Sequence, residues 1–267
     1  MRQETDMDMR PFEEAFAAYA RGFFRGEGDD YAHEVKLDHS LRVYAEARGL
    51  ADAHGAALAS AGVPRRAALL AGLFHDVGRF TQYARYKTFN DPASANHARL
   101  SVRVCLEQGF LASVPEAERR LVYGAIMLHN RRGVRRAADT PLGFLARLLR
   151  DADKLDIYTV MLDYFSAEGE KPAFMRLRTE EHPTAYSPGM LADLRGGRLA
   201  SYADLRWSND FKLLMLSWVH DLNLAASARA FLERDYVGRM AALLPPAPEL
   251  ADLPALLRAE LARRAAP

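Results

Sequence analysis

His75 and Asp76 stand together at the end of an apolar run, AALLAGLF, and are followed by Val77, Gly78 and a polar stretch. Consecutive helical residues point about 100° apart, so the two side chains reach one ion only from the sector between them, most easily near a helix end. Alone, such a pair reads as a polar helix terminus with the imidazole capping carbonyls. The chain carries its own comparison: His220-Asp221 also follows an apolar run, FKLLMLSWV, but no histidine lies beyond it to complete a cluster, and that pair reads as structural. His75-Asp76 has company. His39 lies in KLDHSLRV beside Val35, Arg42 and Val43, His97 in ANHARLSVRV, and His129 at the end of IMLH. RDADKLD adds Asp151, Asp153 and Asp156 with Lys154, among Leu145, Leu148, Leu149, Ile157 and Val160. Any one of these histidines would more often be a core or capping residue than a ligand. Four on separate predicted helices, all at apolar–polar borders, point to metal chemistry. Imidazole and carboxylate donors without thiolate suit Fe, Mn, Co, Ni or Zn rather than Ca.

The elements that must position these residues are helices. Apolar residues recur at helical spacing almost throughout, with no convincing alternating strand. Helices are predicted over 12–24 (Phe12, Phe16, Tyr19, Phe23), 33–60 with a break near Gly49, 64–77 opened by Pro64 and stopped by Gly78, 94–112, 115–129 and 142–166. The loop-rich region 167–200 holds a short helix at 189–195, and helices follow over 202–221, 224–243 and 253–264. The fold class is therefore all-α. We read residues 1–267 as a single domain, with a motif-bearing core over about 30–166 and a helical extension over about 167–267.

Composition sets the outer bounds. Of 267 residues, 49% are hydrophobic and 27% charged, ordinary for a globular chain able to bury a full core. With 36 Lys+Arg against 35 Asp+Glu, the formal charge of +1 gives no global pull toward nucleic acid or membrane, and neither is expected as a partner. Cys105 is the only cysteine, which leaves no disulfide framework and no cysteine zinc site. The polar N-terminus and the shortness of the apolar runs add to the expectation of a cytoplasmic protein. A homodimer is compatible with the sequence but not written in it.

In order, His39, His75-Asp76 and the aspartate of ADKLD resemble the H…HD…D signature of the HD superfamily, all-helical metal-dependent proteins that are mostly phosphohydrolases. HDVGR is close to that family's H-D-[ILV]-G-[KR], and the resemblance covers roughly residues 33–160. It implies an HD-domain helical bundle with additional C-terminal helices. The last ligand of the family, in an A-D-x-x-D context, maps to Asp153, with Asp151 the runner-up. Asp156 shares the face of Asp153 and suits a supporting role behind the ligands. His97 and His129 extend the order to H…HD…H…H…D, similar to the dinuclear branches. Carried over, His39, His75, Asp76 and Asp153 would hold one metal, and Asp76, His97 and His129 the second, with Asp76 bridging. One or two divalent transition metals per chain are implied, Fe or Mn first, Co, Ni or Zn next.

The dinuclear order serves two chemistries: phosphate-ester hydrolysis, and oxygenation as in members resembling myo-inositol oxygenase and the phosphonate-cleaving oxygenases, which use mixed-valence di-iron and O₂. The GYP signature of the cyclic-dinucleotide phosphodiesterases is lacking near the HD pair. The expected function is a metal-dependent phosphohydrolase acting on a nucleotide or another small phosphorylated compound through metal-activated water. A di-iron oxygenase and a non-catalytic metal/nucleotide sensor are the alternatives. Asp76, Arg79 and Lys154 are the expected catalytic groups. Arg79, Asn130, Arg131 and Lys154 are expected to meet the substrate, with Arg132, Arg135 and Arg136 adding to a basic stretch. Tyr83, Tyr86 and Phe89 suit either a site wall or a packed loop.

Overall fold

The computed structural model describes residues 8–26, 30–133, 140–169 and 179–266. The chain divides into two compact units, Met1–Asp156 and Ile157–Pro267. The first unit is built from α1 (Arg10–Arg21), α2 (Asp30–Ala53), α3 (Gly55–Ser60), α4 (Arg65–Phe74), α5 (Gly78–Tyr86), α6 (His97–Glu107), α7 (Glu116–His129) and the first part of α8 (Pro141–Ser166). The second takes the rest of α8 with α9 (Pro188–Arg195), α10 (Ser208–Ser217), α11 (Ala225–Glu233), α12 (Tyr236–Ala241) and α13 (Leu253–Ala265). The fold is all-α: among the described residues the one departure is an isolated bridge between Glu180 and Trp207. Among the same residues no helix is long and apolar enough to cross a membrane.

The apolar run of the sequence is the axis of the first unit. Every residue of α4 from Ala67 to Phe74 is buried, and the helix packs between α2 and α7. Gly72 sets how close it comes to α2, since a Cβ there would lie 2.9 Å from the Ala47 Cβ and 3.2 Å from the Tyr44 Cα. Aromatic edges fill the space beside it, with Phe16 against Phe74 at 5.9 Å and against Phe80 at 6.0 Å, and Phe110 stacked on Phe74 at 5.0 Å.

Gly78 does not stop a helix, as the sequence suggests. The chain turns at His75-Asp76-Val77, and Gly78 opens α5. Two contacts explain the reversal. Its N–H, an orphan donor of the first turn, donates to Ser101 Oγ at 3.0 Å. A Cβ on this residue would lie 2.6 Å from the Leu100 backbone carbon and 2.7 Å from the Leu100 Cβ, so glycine is what allows α5 to start against α6. The stretch beyond is polar in composition but amphipathic in period, burying Phe80 and Tyr83 on one face. Lys87, left-handed at φ 53°, ends it. Two further breaks fall elsewhere than expected. The predicted 33–60 helix stays intact through Gly49 and breaks at His54, and 224–243 is split by Asp235, left-handed at φ 46°.

In the second unit, Tyr158 packs on Phe231 and Tyr236 at 4.7 and 5.2 Å. The Asp210 carboxylate accepts from the Ser187 and Arg206 backbone N–H groups at 2.6 and 3.0 Å, tying the segment before α9 to the start of α10. His220, of the second His-Asp pair, donates from Nε2 to the Leu194 carbonyl at 2.9 Å, a structural bond.

Replacing Gly78 by alanine forces α5 away from α6. The expected outcome for Gly78→Ala is a loss of about 1–3 kcal/mol in the urea-unfolding free energy of metal-free protein. An unchanged midpoint and slope would show that the α5–α6 approach is not tight.

Candidate metal centre

Four helix termini and two helix interiors deliver the side chains. His75 is the C-terminal cap of α4, Asp76 precedes the first turn of α5, His97 is the first residue of α6, and His129 is the last of α7. His39 comes from within α2, and Asp153 and Asp156 from within α8. The helix-to-helix turn lets His75 and Asp76 share one sector, which adjacent residues inside a helix could not do. It also places a carboxylate ahead of a helix N-terminus, where the dipole favours negative charge.

Termini also supply the orienting acceptors, because the last carbonyls of a helix lack helical partners. His75 donates from Nδ1 to the Gly72 carbonyl at 2.8 Å, and His129 from Nδ1 to the Ile126 carbonyl at 2.6 Å. A carbonyl only accepts, so both Nδ1 atoms carry the proton. His39 and His97 have carboxylates in the same role: Nδ1 of His39 lies 2.6 Å from Asp156 Oδ2, and Nδ1 of His97 lies 2.6 Å from Asp91 Oδ2. Arg42 in turn donates to Asp156.

The four Nε2 atoms are thereby the ones turned inward as possible ligands, and they converge. Nε2 of His39 is 3.2 Å from Nε2 of His75, and Nε2 of His97 is 3.0 Å from Nε2 of His129. Two imidazole lone pairs facing each other at hydrogen-bond distance repel unless a cation lies between them. Ligands bonded to one ion at about 2.0–2.2 Å sit roughly 3–4 Å from one another, and these separations are of that kind. Asp76 divides between the pairs. Its Oδ2 is 3.5 Å from His39 Nε2 and 3.9 Å from His75 Nε2, while its Oδ1 is 3.6 Å from His97 Nε2 and 4.0 Å from His129 Nε2. Asp153 Oδ1 joins the first pair at 3.3 Å from His39 and 3.7 Å from His75. The groups His39–His75–Asp153 and His75–Asp76–His129 each have the compactness to hold a metal ion.

The charge states suit such a donor set. Burial, with His97 and His75 nearby, pushes His129 down to about 3, so its ring is neutral. Burial also lowers His75, against the pull of Asp76 and Asp153. For Asp76, burial favours the acid, but Lys36 and Arg79 outweigh it and hold the carboxyl well below its ordinary range. Asp153 follows the same pattern, burial being overcome chiefly by the His39 bond. His39 is the exception: burial and Lys36 lower it, yet the Asp153 and Asp156 carboxylates leave it raised, so a metal at its Nε2 would have to displace a proton. Neutral imidazoles and ionised carboxylates are what a metal requires of its ligands.

Of the two α8 carboxylates weighed for the last ligand, Asp153 faces the histidines, whereas Asp151 is fully buried and outside both groups. Asp156 stands behind His39. Arg79 reaches Asp76 Oδ1 at 3.4 Å and also donates to Gln82 Oε1 at 2.9 Å and the Phe89 carbonyl at 2.6 Å. Asn130 Nδ2 is 3.5 Å from Asp91 Oδ2. Lys154 is buried beside Asp153 on α8. Arg131 and Arg132 are exposed, and Arg131 offers its carbonyl to Arg150. Arg135 and Arg136 lie outside the described residues. Phe89 packs on Tyr83 at 4.9 Å, with Lys36 5.3 Å and Arg79 5.7 Å from its ring.

Two groups were missed by sequence reasoning. Lys36 puts Nζ 3.0 Å from Asp76 Oδ2. It precedes His39 by one helical turn, and the i, i+3 relation on α2 carries that signal. Asp91 sits in a connection without periodicity, six positions before His97, and no spacing rule reaches it.

Residues 37–158, which contain all six candidate ligands, match the HD domain family. Residues 37–158 are thus an HD domain within the 267-residue chain. No curated protein and no solved structure gave a significant match to the chain. The HD superfamily consists of helical proteins that bind divalent metals and are mostly metal-dependent hydrolases.

If the HD-domain cluster is the metal centre, His75→Ala and Asp76→Ala proteins, folded by circular dichroism, lose most of the metal that elemental analysis finds in the unaltered chain. Full metal content in either folded variant would sink the assignment.

Proposed function

We propose that this HD-domain protein is a metal-dependent phosphohydrolase acting on a small phosphorylated compound, a nucleotide among them. In this reading His39, His75, Asp76 and Asp153 hold one divalent ion, and Asp76, His97 and His129 a second, with Fe or Mn the first candidates and Co, Ni or Zn the next. Bound there, the ions supply an activated water near neutral pH and offset charge on the phosphoryl oxygens.

One observation carries the reading from metal binding to phosphate chemistry. Asp76 has a fixed cation on each oxygen, Lys36 on Oδ2 at 3.0 Å and Arg79 on Oδ1 at 3.4 Å. Lys36, Arg79 and Arg42 stand against the carboxylates of Asp76, Asp153, Asp91 and Asp156, close to balance before any metal binds. Divalent ions at the histidines would therefore leave a strong positive surplus, which a multiply charged anion compensates. A neutral substrate would not.

The side chains divide the work. Asp76 keeps the two positions adjacent and is held ionised by its flanking cations. The Nδ1 bonds fix each imidazole with its Nε2 inward. Arg79, clamped by Gln82 and the Phe89 carbonyl, presents a guanidinium whose place is set before substrate arrives, which is how a charged donor is worth most. Lys36 adds a second cation on a flexible stem. Lys154, Asn130 and Arg131 complete the groups assigned to substrate contact.

The test is phosphate release from a panel of nucleotides and sugar phosphates, by protein stripped and reloaded with Mn or Fe, with and without O₂. Release independent of O₂ is expected, and Arg79→Met should lower kcat/KM about 10²-fold while keeping its metal. Turnover that requires O₂ would select an oxygenase instead. Nucleotide binding without turnover would select a sensor.

A further inference from the structure

Asp91, in the connection between α5 and α6, is a ligand to neither ion position, yet its one carboxylate gathers Arg79, Gln82, His97 and Asn130. Its Oδ2 accepts from His97 Nδ1 at 2.6 Å and from the His97 backbone N–H at 3.3 Å, with Asn130 Nδ2 at 3.5 Å. Its Oδ1 accepts from Gln82 Nε2 at 3.0 Å and from Arg79 at 3.3 Å. Arg79 then reaches Asp76 Oδ1, and that same oxygen faces His97 at 3.6 Å. Asp91, His97, Asp76 and Arg79 thus close a ring of side chains that includes two of the three ligands of the second ion position.

The first position is built differently. Asp156, behind His39, is held by Arg42, whose side chain is 44% exposed. The carboxylate behind the first position is therefore tied to a half-exposed arginine. The carboxylate behind the second is tied to the cation on the bridging aspartate. The second position also has three protein ligands in the proposed assignment against four for the first, so it relies more on the orientation of each.

We propose that Asp91 is the positioning residue of the second ion position: one carboxylate holds His97 for the ion and Arg79 for the substrate anion, so that filling the site and placing the phosphate-binding cation are coupled. The inference rests on the two-ion reading above. Without Asp91, His97 is free to rotate or to take the other tautomer, and Arg79 loses one of its anchors, while His39, His75 and Asp153 keep theirs.

The test uses the full chain, stripped of metal and titrated with Mn²⁺ by calorimetry and electron paramagnetic resonance. The unaltered protein should take two ions. Asp91→Asn should bind the first with unchanged affinity and the second about 10–100-fold more weakly. With Mn²⁺ raised to fill both positions, inorganic phosphate should also bind more weakly to this variant. Asp156→Asn should give the opposite pattern, weakening the position that contains His39. In a His97→Gln background, Asp91→Asn should have no further effect on Mn²⁺ binding, whereas Asp156→Asn should keep its effect. If Asp91→Asn fails to fold, Asp91→Ser, which keeps a hydroxyl acceptor for Gln82, carries the same expectation.

Equal weakening of both ions, or a lower melting temperature with both affinities intact, would overturn the role of Asp91 and leave the two-ion reading standing. A single ion in the unaltered protein would remove the two-ion reading and this inference with it. Two ions but no phosphate binding would remove the phosphohydrolase reading and the coupling to Arg79 together.

Discussion

The centre depends on where four imidazole protons point. Each Nδ1–H is spent on an acceptor behind the ring: the Gly72 and Ile126 carbonyls, Asp156 and Asp91. That leaves four Nε2 atoms turned on one another at separations that neutral imidazoles do not tolerate without a cation. Everything else in the unit serves that arrangement. The buried helix α4 brings His75 to the middle, Gly72 and Gly78 set the distances to α2 and α6, and α8 contributes Asp153 from one face.

Histidines at helix ends solve a problem that histidines within helices cannot. A helix interior has no spare backbone acceptors, so an imidazole there needs a side chain behind it, as His39 needs Asp156. A C-terminal turn has orphan carbonyls, and His75 and His129 each use the one three residues back. The cost of burying such groups is offset by the same bonds, since every buried imidazole of the cluster has its N–H satisfied. The centre is held by helices and the turn between α4 and α5, apart from Asp91 in the connection between α5 and α6.

Much of this was legible in the sequence, for identifiable reasons. The all-α class followed from periodicity, which survives any detail of packing. The cluster residues were visible because their types are rare at apolar–polar borders and their order resembles a family signature. Gly78 was misread because a glycine after a helical run looks like a stop, and only the approach of Leu100 shows that it begins the next helix. The break at His54 lies beside Gly55 rather than at Gly49, and the break at Asp235 was hidden because aspartate, not glycine, takes the left-handed conformation there. Lys36 was overlooked although its spacing from His39 was informative. Asp91 could not have been found, because loop residues answer to no period and its partners come from three separate elements.

The choice of acceptors has a consequence for how such a centre changes over evolutionary time. The bonds that orient His75 and His129 end on backbone carbonyls, and substitution at Ile126 leaves a carbonyl in place. The acceptor of His75 is also backbone, although a side chain at Gly72 would press α4 away from α2. His39 and His97 are oriented by side chains, so a single codon change at Asp156 or Asp91 alters one ring and spares the other three. Drift in metal preference therefore has two independent dials, one for each half of the cluster.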